Sequence, residues 1–311
     1  MWFAREEASR LTGPFDAVLA SAYLDLAALR ALAPAVAAAP TALYFHENQL
    51  EYPMRPEWSG ERDLHYGFTQ LVSALAADAC WFNSEWNLDS FVDAARRLLE
   101  RMPDHVPSGW LDAIEDKARV LPVPLDLPEV HLGSDDDDRA SGPVLLWNHR
   151  WEHDKDPDAF VRVLQALAAR DVPFRIAICG AGRPELPKVL ASRTIHLGRV
   201  EDRQEYWALL GRCHIVVSTA VHEFFGVSVL EAVHAGARPV VPDRLAYRET
   251  LPAEYRHATE EELLERLERL CRGWATGEIA LRRDRAELVN RYRSESVVPI
   301  YAAALTELAA R

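Results

Sequence analysis

The sequence predicts an α/β protein of two doubly wound domains facing a cleft, and three observations carry that prediction. Short apolar, β-branched runs alternate with amphipathic helical stretches through both halves of the chain, the mark of parallel sheets wrapped by helices. The alternation breaks once, at 128–142, where Pro128, Gly133, the aspartates at 135–138 and Ser141-Gly142-Pro143 have the composition of an acidic linker. Finally, 311 residues with 49% apolar content suffice for two cores, at roughly 150 residues per domain. The expected division is a first domain over 1–127, a linker over 128–142, a second domain over 143–290 and a C-terminal helix over 291–311 that can cross back to the first domain.

In the first half, residues 1–11 read as a helix, 16–21 as a strand, 24–32 as a helix and Thr41–Phe45 as a second strand. That strand runs into His46, Glu47, Asn48, Gln49 and, a little later, Tyr52. Polar groups at the carboxyl end of a parallel strand stand where open α/β sheets place ligands. A helix over 62–76 carries Arg62, Asp63, His65, Tyr66 and Gln70, which can line the same wall. A third strand follows over 79–83, then a helix to Leu99 with Ser84 as its N-cap, and a fourth strand over 117–123.

The second half opens with a strand over 143–148, and Asp156-Pro157 starts a helix with proline at its first position. Strands over 174–179 and 194–197 and a helix over 203–210 lead to the stretch 214–242, which reads as strand, loop, helix, turn and strand. Its helix begins near Gly226. Val227, Leu230 and Val233 recur at helical spacing, and Gly236 sits where a left-handed C-cap would end it. Thr259 and Glu262 have capping-box spacing ahead of Leu263, Leu264, Leu267 and Leu270.

Composition narrows the function. A formal charge of −13 argues against a generic nucleic-acid binder, whose footprint is a basic patch. Residues 1–126 hold ten lysine and arginine against nineteen aspartate and glutamate side chains; Arg96, Arg97, Arg101, Lys117 and Arg119 are the group placed to offset that balance locally. No apolar run approaches the ~20 residues of a membrane span. Met1-Trp-Phe-Ala leads straight into Arg5-Glu-Glu, unlike a secretory signal. Cys80, Cys179, Cys213 and Cys271 lie far apart, as inert core thiols of a reducing, cytoplasmic compartment would. His149 and His153 have the separation of helical zinc ligands but lack a third partner. Asp154-Lys-Asp156 imitates a metal-binding DxD, yet Asp156 is accounted for as an N-cap. Neither pattern reads as a metal site.

The chemistry concentrates in 214–242. The free backbone N–H groups of Phe225, Gly226 and Val227 point out of a helix N-terminus, a site for a phosphate or diphosphate. Glu223 lies in the loop and Glu231 about a turn and a half inside the helix. A carboxylate beside a phosphate is repelled unless it serves another group, so both acids read as acceptors for sugar and ribose hydroxyls. Arg150 and Lys155, just past the first strand of this half, offer a planar fork and a point charge that would neutralise a leaving diphosphate. Taken singly, solvated helix charges and surface ion pairs account for each of these residues; the combination is what points to a site.

Glu223-Phe224-Phe225-Gly226-Val227-Ser-Val-Leu-Glu231, together with the Arg150-x4-Lys155 spacing, resembles the retaining, nucleotide-sugar-dependent glycosyltransferases of family 4. Six ordered motifs narrow the likeness: the run from Tyr44 to Pro53, Arg62-Asp-x-x-Tyr-Gly67, Phe82-Asn-Ser84, Pro103-Asp-His105, the run from His149 to Pro157, and His222-Glu-Phe-Phe-Gly226. Together they resemble the tRNA-queuosine α-mannosyltransferase family over residues 15 to 256 or so. The resemblance implies a GT-B glycosyltransferase fold, GDP-mannose as donor and transfer with retention to the cyclopentene hydroxyl of queuosine in the anticodon of tRNA(Asp). It implies front-face attack, with the leaving phosphate helping to deprotonate the acceptor. Under it Arg150 and Lys155 bind the diphosphate, Glu231 the ribose and Glu223 the mannose hydroxyls, while His46 contacts the sugar near its anomeric carbon. Gly180, Gly182, Gly198 and Val200 lie near the base and ribose. Glu47, Asn48, Gln49, Tyr52, Arg62, Asp63 and Tyr66 face the acceptor. No metal is expected under the resemblance, and neither a membrane nor a stable protein partner is implied.

Members of that family begin with a strand and a glycine-containing loop upstream of anything here, so the first domain is expected to lack its first strand. Two other readings stay open at this point: a family-4 transferase using another nucleotide sugar and a small-molecule or glycan acceptor, and a catalytically impaired nucleotide-sugar- or tRNA-binding protein.

Overall fold

The computed structural model describes residues 2–53, 64–103, 108–130, 139–182, 185–281 and 285–311, apart from the side chains of Trp2, Phe3 and Ala286. The chain forms two compact units, Met1–Pro124 with Glu295–Arg311, and Leu125–Ser294.

The first unit is built on four parallel strands in the order β1 (Val18–Ser21), β2 (Thr41–Phe45), β3 (Ala79–Phe82), β4 (Ala118–Val120). Every residue of β2 and β3 is buried, because helices cover both faces of the sheet; hence their unbroken apolar sequences. On one face Phe45 stacks on Phe82 at 4.4 Å, and both meet Phe91 of the helix Glu85–Leu99. Ser84 caps that helix by accepting from the Asn87 amide at 3.0 Å. On the other face Ala42, Tyr44 and Trp81 pack with Ala304 and Leu308, which lie on the terminal helix Ser294–Ala309.

Three local expectations shift here. The fourth strand pairs only over Ala118–Val120, because Pro122 and Pro124 have no N–H to extend the ladder. The opening helix is α-helical over Trp2–Glu7 and tightens to a 3-10 turn over Ala8–Arg10. The short helices Pro34–Ala37 and Trp110–Glu115, which were not anticipated, are too brief to display a period of 3.6.

The second unit carries six parallel strands: β5 (Val144–Trp147), β6 (Arg175–Ile178), β7 (Thr194–Leu197), β8 (Ile215–Val217), β9 (Arg238–Pro242) and β10 (Arg256–His257), in the order β10-β9-β8-β5-β6-β7. From β5 the chain winds outward to β7, then returns to the other side of β5 as β8. That reversal opens a crevice beyond the carboxyl ends of β5 and β8, the switch point where such sheets bind ligands. The helices Pro157–Ala169 and Glu260–Ala275 bury Phe160, Val163, Leu167, Leu263, Leu267 and Trp274 in the main core. Asp156 caps the first helix and Thr259 the second.

Residues 125–127, assigned from sequence to the end of the first domain, belong to this second unit. The Leu125 amide donates to Tyr292 O at 2.7 Å, Ser294 returns a bond to Leu125 O at 2.9 Å, and Arg293 Nη1 donates to Leu127 O at 3.0 Å. The acidic run at 135–138 lies outside the described residues. Among the described residues no helix is long and apolar enough to cross a membrane.

Candidate active site

At the switch point the loop after β5 is stapled to the loop after β8. Thr219 Oγ1 donates to the carbonyls of Lys155 and Asp156, at 2.8 and 2.9 Å, and accepts from Trp147 Nε1 at 3.3 Å. The amides of Val221 and His222 both donate to Asp154 O, at 3.0 and 3.1 Å. This lattice leaves the Lys155 ammonium almost enclosed. Its Nζ donates to His222 O at 2.7 Å and lies 3.2 Å from both Asp154 Oδ2 and Glu223 Oε2. Burial alone would lower the Lys155 pKa, but the two carboxylates outweigh it and hold it above the ordinary lysine value. Arg150 stands at the mouth, half exposed, 3.9 Å from Asp154 Oδ2 and 3.1 Å from Glu152. Asp154 thus sits beside both cations.

Gly226 is the N-cap of the helix Val227–His234 with φ +89°, a conformation that a side chain strains, and a Cβ there would come within 2.9 Å of the Tyr247 ring. Tyr247 in turn donates to Ser218 Oγ at 2.9 Å, fixing the base of the loop. The helix therefore presents its first amides beside Glu223 and Lys155, with nothing larger than hydrogen on the capping residue. Phe224 and Phe225 are buried: Phe224 packs edge-on to His222 at 4.3 Å and Phe225 to Tyr292 at 5.1 Å. Their side chains anchor the loop, and only their backbone can serve a ligand. Val227 is exposed.

Glu231, on the same helix, accepts from Tyr206 Oη at 2.5 Å. Burial raises its pKa, against the opposing effects of the Tyr206 hydrogen bond and Arg203. Asn148, at the carboxyl end of β5, donates to Tyr206 Oη at 2.8 Å and to Ser228 O at 3.1 Å. Gly180 and Gly182 follow β6, and Gly198 and Val200 follow β7; the Gly180 amide faces Gly198 O at 3.4 Å, which sets these two turns side by side. His149 is buried against Trp147 and burial lowers its pKa to about 3, so the imidazole is neutral. Among the described residues no three His, Cys, Asp or Glu side chains are grouped to hold a metal ion.

Of the residues expected to face the acceptor, the first unit exposes some, turns others inward and leaves Arg62 and Asp63 outside the described residues. His46 is exposed at the end of β2, its ring edge-on to Tyr44 at 4.6 Å; burial of its inner side lowers its pKa, with Glu47 opposing. A cavity of about 220 Å³ lined by Ser21, Tyr44, His46, Pro124 and Tyr301 opens beside it. Glu47 accepts from Tyr23 Oη and from Gln49 Nε2. Asn48 does not face outward. It is fully buried, donating to Asn87 Oδ1 at 3.2 Å and Ser90 Oγ at 3.1 Å and accepting from the Glu51 amide at 2.9 Å. Gln70 is likewise turned inward, accepting from the Gln49 amide at 2.8 Å. Tyr66 is exposed and Tyr52 half-buried, while Arg62 and Asp63 lie outside the described residues.

Several residues that shape the site are given no role by the sequence. Asn83 and Asn87 brace His46 from below: Asn83 Nδ2 donates to His46 O at 2.8 Å and Asn87 Nδ2 to Phe45 O at 3.0 Å. Tyr206, Asn148, Thr219 and Tyr247 do the same for the second unit. A buried polar residue at the end of a strand or inside an apolar helix was the available signal. The basic group proposed to offset the acidity of the first unit is largely spent. Arg96, Arg97 and Arg119 pair with Asp93, Glu51 and Glu307, and Lys117 donates to the carbonyls of Leu75 and Ala77.

Residues 1–125 match the family described as tRNA-queuosine alpha-mannosyltransferase N-terminal, and 142–272 match Glycosyl transferases group 1. A tRNA-queuosine alpha-mannosyltransferase of Drosophila melanogaster is 39% identical over 272 residues, 83% of this chain and 71% of that protein. A GDP-mannose:cellobiosyl-diphosphopolyprenol alpha-mannosyltransferase of Xanthomonas campestris is 30% identical over 113 residues, 34% of this chain and 30% of that protein. Sucrose-phosphate synthase of Thermosynechococcus elongatus has the same fold, with a TM-score of 0.72 at 14% identity over 99% of this chain and 77% of that one. The fold is GT-B and the chain is a glycosyltransferase. On the strength of the long match to the fly protein and of the amino-terminal match, the chain belongs to the tRNA-queuosine alpha-mannosyltransferase family.

Proposed function

We propose that this chain transfers mannose from GDP-mannose, with retention, to the cyclopentene hydroxyl of queuosine in the anticodon of tRNA(Asp), in the cytoplasm and with no metal. The observation that supports it best is the enclosed Lys155, poised 3.2 Å from Glu223 at the positive end of the helix Val227–His234. Diphosphate oxygens accept from the amides at Gly226 and Val227 and from Arg150 and Lys155. As the bond from the anomeric carbon to the phosphate oxygen breaks, charge grows on that oxygen, and fixed donors in an enclosed site stabilise it without reorganising. The acceptor hydroxyl forms the new bond on the face the phosphate leaves, and its proton passes to the departing oxygen, giving GDP. Glu223 accepts from mannose hydroxyls and fixes the position of the sugar ring; Glu231 accepts from the ribose. A neutral His46 serves as a hydrogen-bonding partner for the sugar. The positive charge that a metal supplies elsewhere is here assigned to Arg150, Lys155 and the helix terminus.

The test is mass spectrometry of nucleosides from queuosine-containing tRNA incubated with the protein and GDP-mannose, beside Glu223→Ala. The expected result is one added hexose on queuosine, absent with the variant. Hexose transfer to a small-molecule acceptor but never to tRNA would replace this reading with that of another family-4 transferase.

A further inference from the structure

The donor site contains a three-part bracket of which the proposed chemistry uses only Glu231. Asn148 at the end of β5, Tyr206 on the helix Arg203–Leu210 and Glu231 on the helix Val227–His234 form one chain, Asn148 Nδ2 to Tyr206 Oη at 2.8 Å and Tyr206 Oη to Glu231 Oε2 at 2.5 Å. Asn148 also donates to Ser228 O at 3.1 Å, so the residue that orients the tyrosine is tied to the helix that carries the glutamate. Asn148 is buried. One oxygen of Glu231 is therefore committed and the other left for a ligand.

We infer that Tyr206, backed by Asn148, is a positioning residue that aims Glu231 and keeps it in its carboxylate form to accept from the donor's ribose. The inference rests on the proposed donor site. A glutamate has three side-chain torsions, and the Tyr206 hydroxyl on Oε2 is the bond in this bracket that fixes them. The charged form also needs support, because burial raises the Glu231 pKa and only the Tyr206 hydrogen bond and Arg203 oppose it. The other titratable group that senses Glu231 is the Cys179 thiol beyond β6, which burial pushes up and leaves neutral. Arg203 is exposed and paired with Asp126 at 2.7 Å, so it cannot replace the tyrosine.

Calorimetric titration of GDP into the full chain, repeated across pH, tests this with Tyr206→Phe, Asn148→Ser and Glu231→Gln. Losing a hydrogen bond to a charged group should weaken GDP binding by Tyr206→Phe about tenfold near pH 6. The deficit should shrink as pH rises, because the unsupported carboxyl then ionises on its own; Asn148→Ser should show the same trend more weakly. Glu231→Gln should lose affinity equally at every pH. A loss in Tyr206→Phe that is the same at all pH values, or no loss, overturns the inference while leaving the donor site standing. Failure of the unaltered protein to bind GDP overturns the donor reading and this inference with it.

Discussion

Lys155 carries two jobs, and they can be separated at the level of single atoms. Its ammonium lies between Asp154, which is buried, and Glu223, and it is itself nearly enclosed. Removing the charge leaves two carboxylates near each other with no cation at 3.2 Å, whereas removing Glu223 leaves the Lys155–Asp154 pair intact. Breaking a buried pair from one side costs about 3 kcal/mol or more, because the remaining charge stays desolvated. Lys155→Met should therefore lower stability by about 3 kcal/mol, while Glu223→Gln, whose amide oxygen still accepts from Nζ, should cost no more than about 1 kcal/mol. Both should abolish transfer. Urea unfolding midpoints decide it: equal, small shifts in the two variants would mean that the cluster binds substrate without holding the loop.

At the level of elements, the strand–loop–helix unit at 215–234 was legible because its information is local: an apolar strand, a glycine at the helix cap and two acids at fixed spacing. Two glycines there and beyond β6 act through different physics. A Cβ at Gly180 would lie 1.8 Å from the backbone oxygen of His149, and neither strand end can retreat; Gly180→Ala should fail to fold or lose several kcal/mol, roughly the scale of severe overpacking. At Gly226 the obstacle is φ +89° and a ring carbon of Tyr247 at 2.9 Å, so Gly226→Ala should fold, cost about 1–2 kcal/mol and weaken GDP binding. Thermal unfolding with and without GDP distinguishes the two. Asn48 shows where local reading stops. A polar residue after a strand either faces a ligand or braces its loop, and the partners that decide, Asn87 and Ser90, are set by the helix Glu85–Leu99. Tyr206 was illegible for the same reason, since its partner lies on a separate helix.

For the molecule as a whole, charge constrains how an RNA acceptor can be held. The chain carries a formal charge of −13, and in the first unit Arg10, Arg30, Arg96, Arg97 and Arg119 are all engaged with carboxylates. A protein that grips RNA through many phosphates releases many counterions, and its affinity collapses as salt rises. Among the described residues of the first unit few such contacts are on offer, so recognition of tRNA should lean on the queuosine base and on exposed aromatic side chains such as Tyr23 and Tyr66. The expected consequence is a shallow salt dependence. Between about 50 and 200 mM salt, tRNA affinity should fall by less than ~100-fold, against the ~1,000-fold or more of a protein neutralising six or more phosphates. Fluorescence anisotropy with labelled tRNA measures this directly, and tRNA lacking queuosine should bind distinctly less well. A steep salt slope with equal affinity for both tRNAs would place the grip on the phosphate backbone, and the acidic balance of the described surface would then be the wrong guide to how the acceptor docks.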